Sequence, residues 1–528
     1  MPESSLPLSA PPESSLEALV HSAARWPDRL AMVDQQVNLS FAELSGRVAA
    51  VSDALRQAGL RPGMVVAICG PNSWQWVVQA LAIQALGCVL LPLSTRLRGA
   101  ELQDMLQRSR ATTVISVDRF LDFGYADLFA SLQSSLPFRL WRWNWPGGER
   151  LVSSPDEISL TQTARWPHGF DAQSLSTCIA DLMFTSGTTG RPKGVLSSHA
   201  QNLRAFGAWT EVVGLREHDR YLVVNPFFHA FGYKAGWLSA LVRGACVYPV
   251  GVFDARSALH TIEREQISFL PGPPTLFHAL LEHPDRPLTD LRSLRVAVTG
   301  AATIPPSLIG RMREELHFQT VTTAYGLTEC SGVATVCDPG ASDEKISTTS
   351  GCALPGVEVE CHRPDGSRCG PNEVGEIVIR GFNVMQGYFE DAESTREAID
   401  AQGWLHTGDV GALDEEGYLR ITDRLKDMYI SGGFNCYPAE IERLMHAHPE
   451  VSQAAVIGAP DARLGEVGVA FVVKKPGSAM TPSTFQDWCK SVMSNYKVPK
   501  QVHFLEALPL NAAGKVQKAD LRARIASR

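Results

Sequence analysis

The sequence lacks the features that mark membrane-spanning, nucleic-acid-binding and secreted proteins. No run of Lys or Arg exceeds two residues and the formal net charge is −8, so we expect no nucleic-acid-binding surface. No uncharged apolar stretch approaches the roughly 18 residues of a membrane span. Stretch 77–93 comes closest, but Gly87 and Pro92 interrupt it, and it predicts a buried helix followed by a strand. No signal peptide is evident, so we expect a soluble, cytoplasmic protein without stable membrane insertion.

A pattern of paired cysteines is also missing. The 11 cysteines are scattered along the chain and contain no C-x-x-C pair. Free thiols in an odd number suit a reducing compartment. Hydrophobic residues make up 45% of the chain and charged residues 20%, which is ordinary for a globular protein. A chain of 528 residues is too long for one core, so we expect about two to four domains or subdomains.

Three patterns follow one another along the chain and predict an α/β protein. Residues 1–15 are rich in Pro, Ser and Glu and predict a frayed tail. Residues 16–422 alternate helical patterns with short apolar strands and predict layered α/β subdomains, with a β-rich subdomain from about 350 onward. Residues 428–528 predict a small α+β unit with its own core. The charged segment 423–427 between them is the expected junction.

The most informative segment runs from Thr185 to Gly194 and reads T-S-G-T-T-G-R-P-K-G. Glycines let backbone N–H groups approach an anion, while hydroxyls and cations satisfy phosphate oxygens. The segment is not a P-loop of the NTPase kind, because Pro192 precedes Lys193 and residues 195–198 predict a second short strand. We therefore predict a strand–loop–strand cradle for a polyphosphate. A glycine-rich surface hairpin is the alternative.

Four further segments follow in a fixed order: G-A-A at 300–302, Y-G-L-T-E at 325–329, W-L-H-T-G-D at 404–409 and N-A-A-G-K at 511–515. Each is weak alone. Together with 181–194 they resemble the AMP-forming adenylating enzymes, which include acyl-CoA synthetases, adenylation domains of peptide synthetases and beetle luciferases. The resemblance covers nearly the whole chain. It implies a large N-terminal adenylation domain and a small mobile C-terminal lid.

The resemblance implies a nucleotide site for ATP. The 185–190 loop and Lys193 would hold the β- and γ-phosphates, Tyr325 would stack on the purine, and Thr328 would donate to the α-phosphate. Asp409 and Arg424 would bind the ribose; a surface aspartate and a surface arginine are the alternatives. The implied nucleotide-binding residues are Thr185, Ser186, Gly187, Thr188, Thr189, Gly190, Lys193, Gly300, Ala301, Ala302, Tyr325, Gly326, Asp409 and Arg424.

Magnesium is the implied metal. A Glu carboxylate is a hard oxygen ligand suited to this ion. The implied metal ligands are Glu329 and Thr185. The implied catalytic residues are Lys515, Thr328, Glu329 and His229.

The C-terminal lid of the family presents two faces in turn. Lys426 stands at the family's hinge position, and Gly432 and Gly433 match the face that closes a tunnel for the coenzyme A thiol. Lys515 matches the other face, where an ammonium between the carboxylate and the α-phosphate neutralises developing charge. Loss of such a contact costs on the order of 3–4 kcal/mol. An ordinary surface lysine is the alternative. Leu510 stands where many members carry a basic residue.

The acyl side is marked by P-F-F-H-A-F-G at 226–232. Amino-acid-activating relatives carry an aspartate near here, and its absence favours a neutral hydrophobic acid. His229 would position the carboxylate or act as a gate, with a packed structural histidine as the alternative. The segment continuing through Lys234, with 270–275 and 299–305, looks most like the CoA ligases of steroid-ring propanoates. We hypothesise that Lys234 contacts a ketone oxygen; a snorkelling lysine is the alternative.

The sequence therefore predicts an ATP- and magnesium-dependent acid:CoA ligase of lipid or steroid metabolism. Its partners would be a bulky hydrophobic acid, ATP and coenzyme A, with no nucleic acid and with a homodimer left open. The alternatives are a medium-chain fatty-acyl-CoA ligase, an adenylating enzyme that serves a carrier protein, and a non-catalytic nucleotide-binding regulator. No carrier module is evident in the chain.

Overall fold

The computed structural model describes residues 11–526 except 36, 186–191, 301–303, 305, 425–428, 437, 510–515 and 517. Nine strands form the largest sheet, whose centre is parallel. In spatial order they are Asp156–Ser159, Arg150–Ser153, Arg139–Trp143, Thr113–Val117, Val65–Cys69, Val89–Leu93, Ile179–Thr185, Lys193–Ser198 and Gly387–Tyr388. The helices of this region are Ser15–Arg25, Phe41–Gln57, Trp74–Ala85, Gly99–Ser109, Tyr125–Leu132 and His199–Val212.

Burial and capping explain these elements. All residues of Trp74–Ala85 and of the strand Val89–Leu93 are buried, as expected of a mostly apolar helix followed by a parallel strand. The predicted helix and strand at 77–93 are thus confirmed. Phe41–Gln57 begins at a capping box in which Ser40 and Glu43 exchange side-chain and backbone hydrogen bonds.

A second layer is built on two four-stranded sheets. Isolated bridges from Phe269 to Tyr221 and to Val296 connect them. Their strands are Arg220–Val223, Cys246–Pro249, Leu30–Asp34 and Val37–Ser40, and Val296–Gly300, Thr320–Tyr325, Thr335–Val336 and Cys352–Ala353. The helical segments here are Ala230–Gly232, Tyr233–Leu238, Ser239–Arg243, Ala255–Glu265, Pro274–Leu281, Pro306–Glu314 and Asp343–Thr348.

The β-rich region is an antiparallel sheet, as predicted. It consists of Val357–His362, Gly375–Gly381, Leu405–Leu413 and Leu419–Arg424, with the helix Ala392–Ala398 beside it. The register pairs Asp409 with Arg424. This sheet therefore sets the backbone position of the two residues expected to bind ribose.

The C-terminal unit has two cores, one on each face of a five-stranded sheet. Alternation along Val451–Asp461 sends Val456 to one core and Ile457 to the other. The strands are Phe434–Cys436, Tyr429–Ser431, Gly465–Lys474, Val451–Asp461 and Gln501–Leu505, and the helices are Pro438–Met445, Pro482–Val492 and Lys518–Ala526. All members of both cores lie at or after residue 429. The predicted α/β fold, a large N-terminal part with a small C-terminal one, is confirmed.

Within the described ranges, no helix combines the length and the apolar composition that a membrane span needs.

Candidate active site

The predicted phosphate cradle begins and ends on two paired strands. Ile179–Thr185 and Lys193–Ser198 are antiparallel, and Thr185 lies opposite Lys193. The strand–loop–strand prediction is therefore confirmed for both strands. Arg108, which sequence reasoning missed, donates to the carbonyl of Pro192 and stacks 5.4 Å from the ring centre of Phe184. It holds the chain on both sides of the loop.

Glu329 is the centre of a cluster of oxygen atoms at this hairpin. The Thr185 hydroxyl donates to Oε1 of Glu329 at 3.2 Å, and the Tyr388 hydroxyl donates to the same oxygen at 3.1 Å. Lys193 Nζ lies 4.8 Å from the centre of the Tyr388 ring. Burial raises the pKa of Glu329, while the two hydroxyls and the Lys193 charge oppose that rise. The structure thus brings together three predicted residues from segments 144 positions apart.

Tyr388 is a site residue that the sequence did not reveal. Its short strand, Gly387–Tyr388, pairs with Leu196 and Val195 of the hairpin. That pairing joins segments distant in sequence and carries no motif of its own. The hydroxyl reaches Glu329 only because the sheet is completed by this strand.

A second group of polar atoms forms around Asp409. The Tyr325 hydroxyl donates to Oδ2 of Asp409 at 2.8 Å, and the Asp409 N–H donates to the Thr407 hydroxyl at 3.1 Å. Burial, together with the negative charge of Asp409, raises the pKa of Tyr325 well above its ordinary value. Tyr325 therefore stays protonated and orients the carboxylate.

The two groups meet at the carboxyl ends of parallel strands. Val296–Gly300 and Thr320–Tyr325 run side by side, with Gly300 opposite Ala324. A Cβ on Gly326 would lie 2.5 Å from the Cα of Val333, so only glycine allows this close approach of two backbones. The half-buried Thr328 begins the next short helix, Thr328–Cys330, which carries Glu329. Ligands of layered α/β proteins bind at this edge.

His229 is the N-cap of the short helix Ala230–Gly232 in the predicted acyl-side segment. Its Nδ1 accepts the Phe231 N–H at 3.2 Å, which leaves Nε2 to carry the proton of the neutral ring. The ring keeps an exposed surface although protein surrounds it. Burial, helped by the positive charge of Arg96, lowers the pKa of His229 to about 4. His229 is therefore neutral at physiological pH.

Lys234 does not line a substrate site. No part of its side chain is exposed, and Nζ lies 3.1 Å from Oδ1 of Asp181, which is also fully buried. Nζ also donates to the Ser197 hydroxyl at 3.2 Å. A lysine that reaches no solvent-sized space cannot meet a ketone or snorkel to the surface. Both interpretations of Lys234 are wrong. Its ion pair with Asp181 and its hydrogen bond to Ser197 instead stabilise the two hairpin strands on which these partners lie.

The tip of the C-terminal hairpin comes close to the N-terminal part of the chain. Gly432 and Gly433 turn the hairpin between Tyr429–Ser431 and Phe434–Cys436, with φ of +57° and +82°. Two positive φ values are the reason for glycine in this turn. A Cβ on Gly433 would lie 3.4 Å from the Cβ of Pro273.

Several predicted residues lie outside the described part of the chain. They are Ser186, Gly187, Thr188, Thr189, Gly190, Ala301, Ala302, Lys426, Lys515 and the side chain of Arg424. Val516, next to Lys515, packs partly buried on the core that contains Ile457.

The oxygen cluster fits a magnesium ion only with help from a substrate. No three His, Cys, Asp or Glu side chains come together as a metal site among the described residues. Mg²⁺ commonly binds through one or two carboxylates together with substrate phosphates and water. Glu329, with the hydroxyl of Thr185 beside it, could hold the ion in that way.

Comparison with known proteins gives two family matches. The model described as AMP-binding enzyme matches residues 19–389, and the AMP-binding enzyme C-terminal domain matches residues 440–515. Together they cover most of the chain, including the hairpin, the oxygen cluster and the C-terminal unit.

The chain is also similar to two curated enzymes. It is 45% identical to a 3-[(3aS,4S,7aS)-7a-methyl-1,5-dioxo-octahydro-1H-inden-4-yl]propanoyl:CoA ligase of Rhodococcus jostii, over 97% of this chain and 98% of that protein. It is 43% identical to the enzyme of the same name from Mycobacterium tuberculosis, over 96% and 97%.

Among solved structures, two with different ligands are similar to this one. The o-succinylbenzoate CoA synthetase of Bacillus subtilis, bound to its product analogue, has a TM-score of 0.83 and 30% identity, covering 96% of this chain and 98% of that one. ATP-bound MatB from Rhodopseudomonas palustris has a TM-score of 0.70 and 27% identity, covering 97% and 99%.

The Glu329 cluster predicts a pH dependence. Because the pKa of Glu329 is raised, its carboxylate becomes protonated at a higher pH than an ordinary glutamate does. Nucleotide-dependent activity should therefore rise as the pH increases through this pKa. Tyr388→Phe removes a hydrogen bond that stabilises the charged form, so it should move the midpoint to higher pH. The measurement is pyrophosphate release against pH. Tyr418→Phe, a tyrosine outside the cluster, should leave the midpoint in place; an unchanged Tyr388→Phe midpoint would contradict the assignment.

The Lys234–Asp181 pair predicts a loss of stability without a change of specificity. Lys234→Met leaves Asp181 buried and uncompensated, which should lower the free energy of unfolding by about 3–5 kcal/mol. Urea unfolding measures the change. Adding Asp181→Asn removes the unpaired buried charge and should recover part of the lost free energy of unfolding. Lys490→Met breaks an exposed pair and should cost less than about 1 kcal/mol. Normal stability with altered substrate preference would refute a structural role.

Proposed function

This chain belongs to the AMP-binding enzyme family and is an AMP-forming acid:CoA ligase, and from that premise we propose that its acid is a steroid-ring-derived propanoate. The proposal rests mainly on 45% identity, along nearly the full length, to a ligase of a dioxo-indane propanoate. Family membership implies ATP and coenzyme A as the other substrates. Because this family is one of enzymes, a non-catalytic nucleotide-binding regulator is not the function that we propose.

The chemistry of the acyl side supports a bulky uncharged acid. Segment 226–232 carries no acidic residue, and its phenylalanines lie near a neutral His229. A substrate amine would find no counter-ion among these side chains. An apolar ring system would instead bury its surface against the partly exposed Phe228 and Phe231, at about 25 cal/mol for each Å² removed from water.

We assign the first half-reaction to the residues at the hairpin. The acid's carboxylate oxygen bonds to the α-phosphorus, and the bond to the pyrophosphate oxygen breaks. Lys193 and the loop hydroxyls balance charge on the leaving phosphates, and Thr328 donates to the α-phosphate. Asp409, oriented by Tyr325, accepts hydrogen bonds from the ribose. Mg²⁺, held by Glu329 and Thr185, would neutralise phosphate charge when bound.

We assign the second half-reaction to the side on which the C-terminal hairpin lies. The thiol sulfur of coenzyme A bonds to the acyl carbon, the carbon–oxygen bond to AMP breaks, and the thiol proton leaves to solvent. The glycine tip lies against Pro273, with a Cβ on Gly433 only 3.4 Å from the Cβ of that proline, and glycine lets this backbone pass close to a pantetheine arm. Lys426 as hinge and Lys515 as the adenylation lysine are proposed from the family pattern alone. Cytoplasmic location and a homodimer stay predictions.

The role of Lys515 predicts a loss confined to one half-reaction. Lys515→Ala should slow adenylate formation about a hundred- to a thousandfold, because the developing charge loses its cation. Thioester formation from supplied acyl-adenylate should remain within about threefold of wild type. Rapid-quench assays of the two steps measure this. Lys490→Ala, an exposed lysine of the same unit, is the matched control. Equal loss in both steps would refute the assignment.

The proposed substrate is tested by a panel of acids. With free coenzyme A, kcat/KM should be at least about tenfold higher for the dioxo-indane propanoate than for octanoate or ferulate. AMP release coupled to acyl-CoA formation measures it. A preference for octanoate would favour the medium-chain alternative. Acyl-adenylate formation without transfer to free coenzyme A would favour a carrier protein as the acceptor.

A further inference from the structure

A buried ion triad joins the C-terminal unit to the N-terminal part. Lys497 Nζ lies 2.7 Å from Oε1 of Glu101 and 2.7 Å from Oε1 of Glu440. Glu101 belongs to the helix Gly99–Ser109, whereas Glu440 belongs to the helix Pro438–Met445 of the C-terminal unit itself. All three side chains are at most 6% exposed. The Ser494 hydroxyl adds a bond to Oε2 of Glu101 at 3.4 Å.

The charges of the triad allow it to open without leaving a buried ion unpaired. Burial works against a charged Lys497, but Tyr496 and the two carboxylates outweigh it and hold the pKa of Lys497 well above its ordinary range. If the C-terminal unit moves away, Lys497 keeps Glu440 as its partner and Glu101 regains water. Breaking a buried pair is costly when a charge is stranded, and here none is. The contact is therefore strong but reversible.

An aromatic contact extends the same interface toward the glycine hairpin. Phe434 and Tyr496 stack with ring centres 4.7 Å apart, and the guanidinium of Arg96 lies 3.9 Å from the centre of the Phe434 ring. Arg96 is also the cation that acts on His229. The contact thus runs from the triad, through Phe434, to Arg96 beside His229.

The position of the glycine hairpin indicates which step this arrangement serves. With Gly433 against Pro273, the predicted coenzyme A face of the C-terminal unit lies at the N-terminal part. This contact associates the triad with thioester formation.

We infer that Glu101 and Lys497 are positioning residues for thioester formation, holding the C-terminal unit in the orientation that this half-reaction needs. They touch neither substrate nor reacting atoms. Adenylate formation, which uses the other face of the unit, does not depend on their contact. The inference rests on the two-faced action proposed above for the C-terminal unit.

The test separates the two half-reactions in Glu101→Gln. This change removes the charge and keeps an oxygen for the Arg98 N–H that Glu101 now accepts. Thioester formation from supplied acyl-adenylate should fall about tenfold, and Glu101→Lys, which repels Lys497, about a hundredfold or more. Adenylate formation should change less than about twofold in both variants. Equal slowing of both steps, or of neither, overturns the inference.

Hydrogen exchange gives a readout that does not depend on catalysis. Backbone amides of 432–434 and 494–497 should exchange faster in Glu101→Gln, while those of Gly465–Lys474, inside the C-terminal sheet, should be unchanged. Unchanged exchange at the interface overturns the inference. Asp53→Asn, in an exposed pair within one helix, should alter neither exchange nor either half-reaction. If wild-type protein itself forms no acyl-CoA, the proposed function fails, whatever Glu101 does.

Discussion

The candidate site depends on the hydrogen bonds that join the hairpin of Ile179–Thr185 and Lys193–Ser198 to the carboxylate of Glu329. Thr185 at the end of one hairpin strand and Tyr388 on the strand that completes the sheet both donate to Glu329. Lys193 stands beside them on the other hairpin strand. Joining a carboxylate to a phosphate requires positive charge and donors at fixed points, and fixed points require rigid strands. The nine-stranded sheet supplies that rigidity.

Electrostatics explain why several charged groups in the chain are not part of the chemistry. Lys234 and Asp181 form a pair with no exposure, so the most unusual lysine of the acyl-side motif supports the strands instead of the substrate. Lys497, which is also buried, is shared by carboxylates from two parts of the chain. Lys234 has one carboxylate partner, so separating the pair would leave a buried charge unpaired. Lys497 has two, so it can separate from Glu101 and remain paired with Glu440.

Local patterns predicted much of the fold because they act within a few residues. The buried helix before Val89–Leu93 and the β-rich region after about residue 350 both follow from neighbouring side chains. Motif order pointed to Glu329, Tyr325 and Asp409, and the structure brings each beside a partner. Tyr388, Arg108 and Glu101 were missed because their contacts come from strand pairing and packing between distant segments. Lys234 was misinterpreted because burial is not visible in a short motif.

The central claim is that this site activates an acid by forming an adenylate before coenzyme A takes part. Exchange of radiolabelled pyrophosphate into ATP, followed without coenzyme A, tests it most directly. The account predicts exchange that requires the dioxo-indane propanoate and magnesium together. Exchange that appears only when coenzyme A is added, or that ignores the acid, would contradict it.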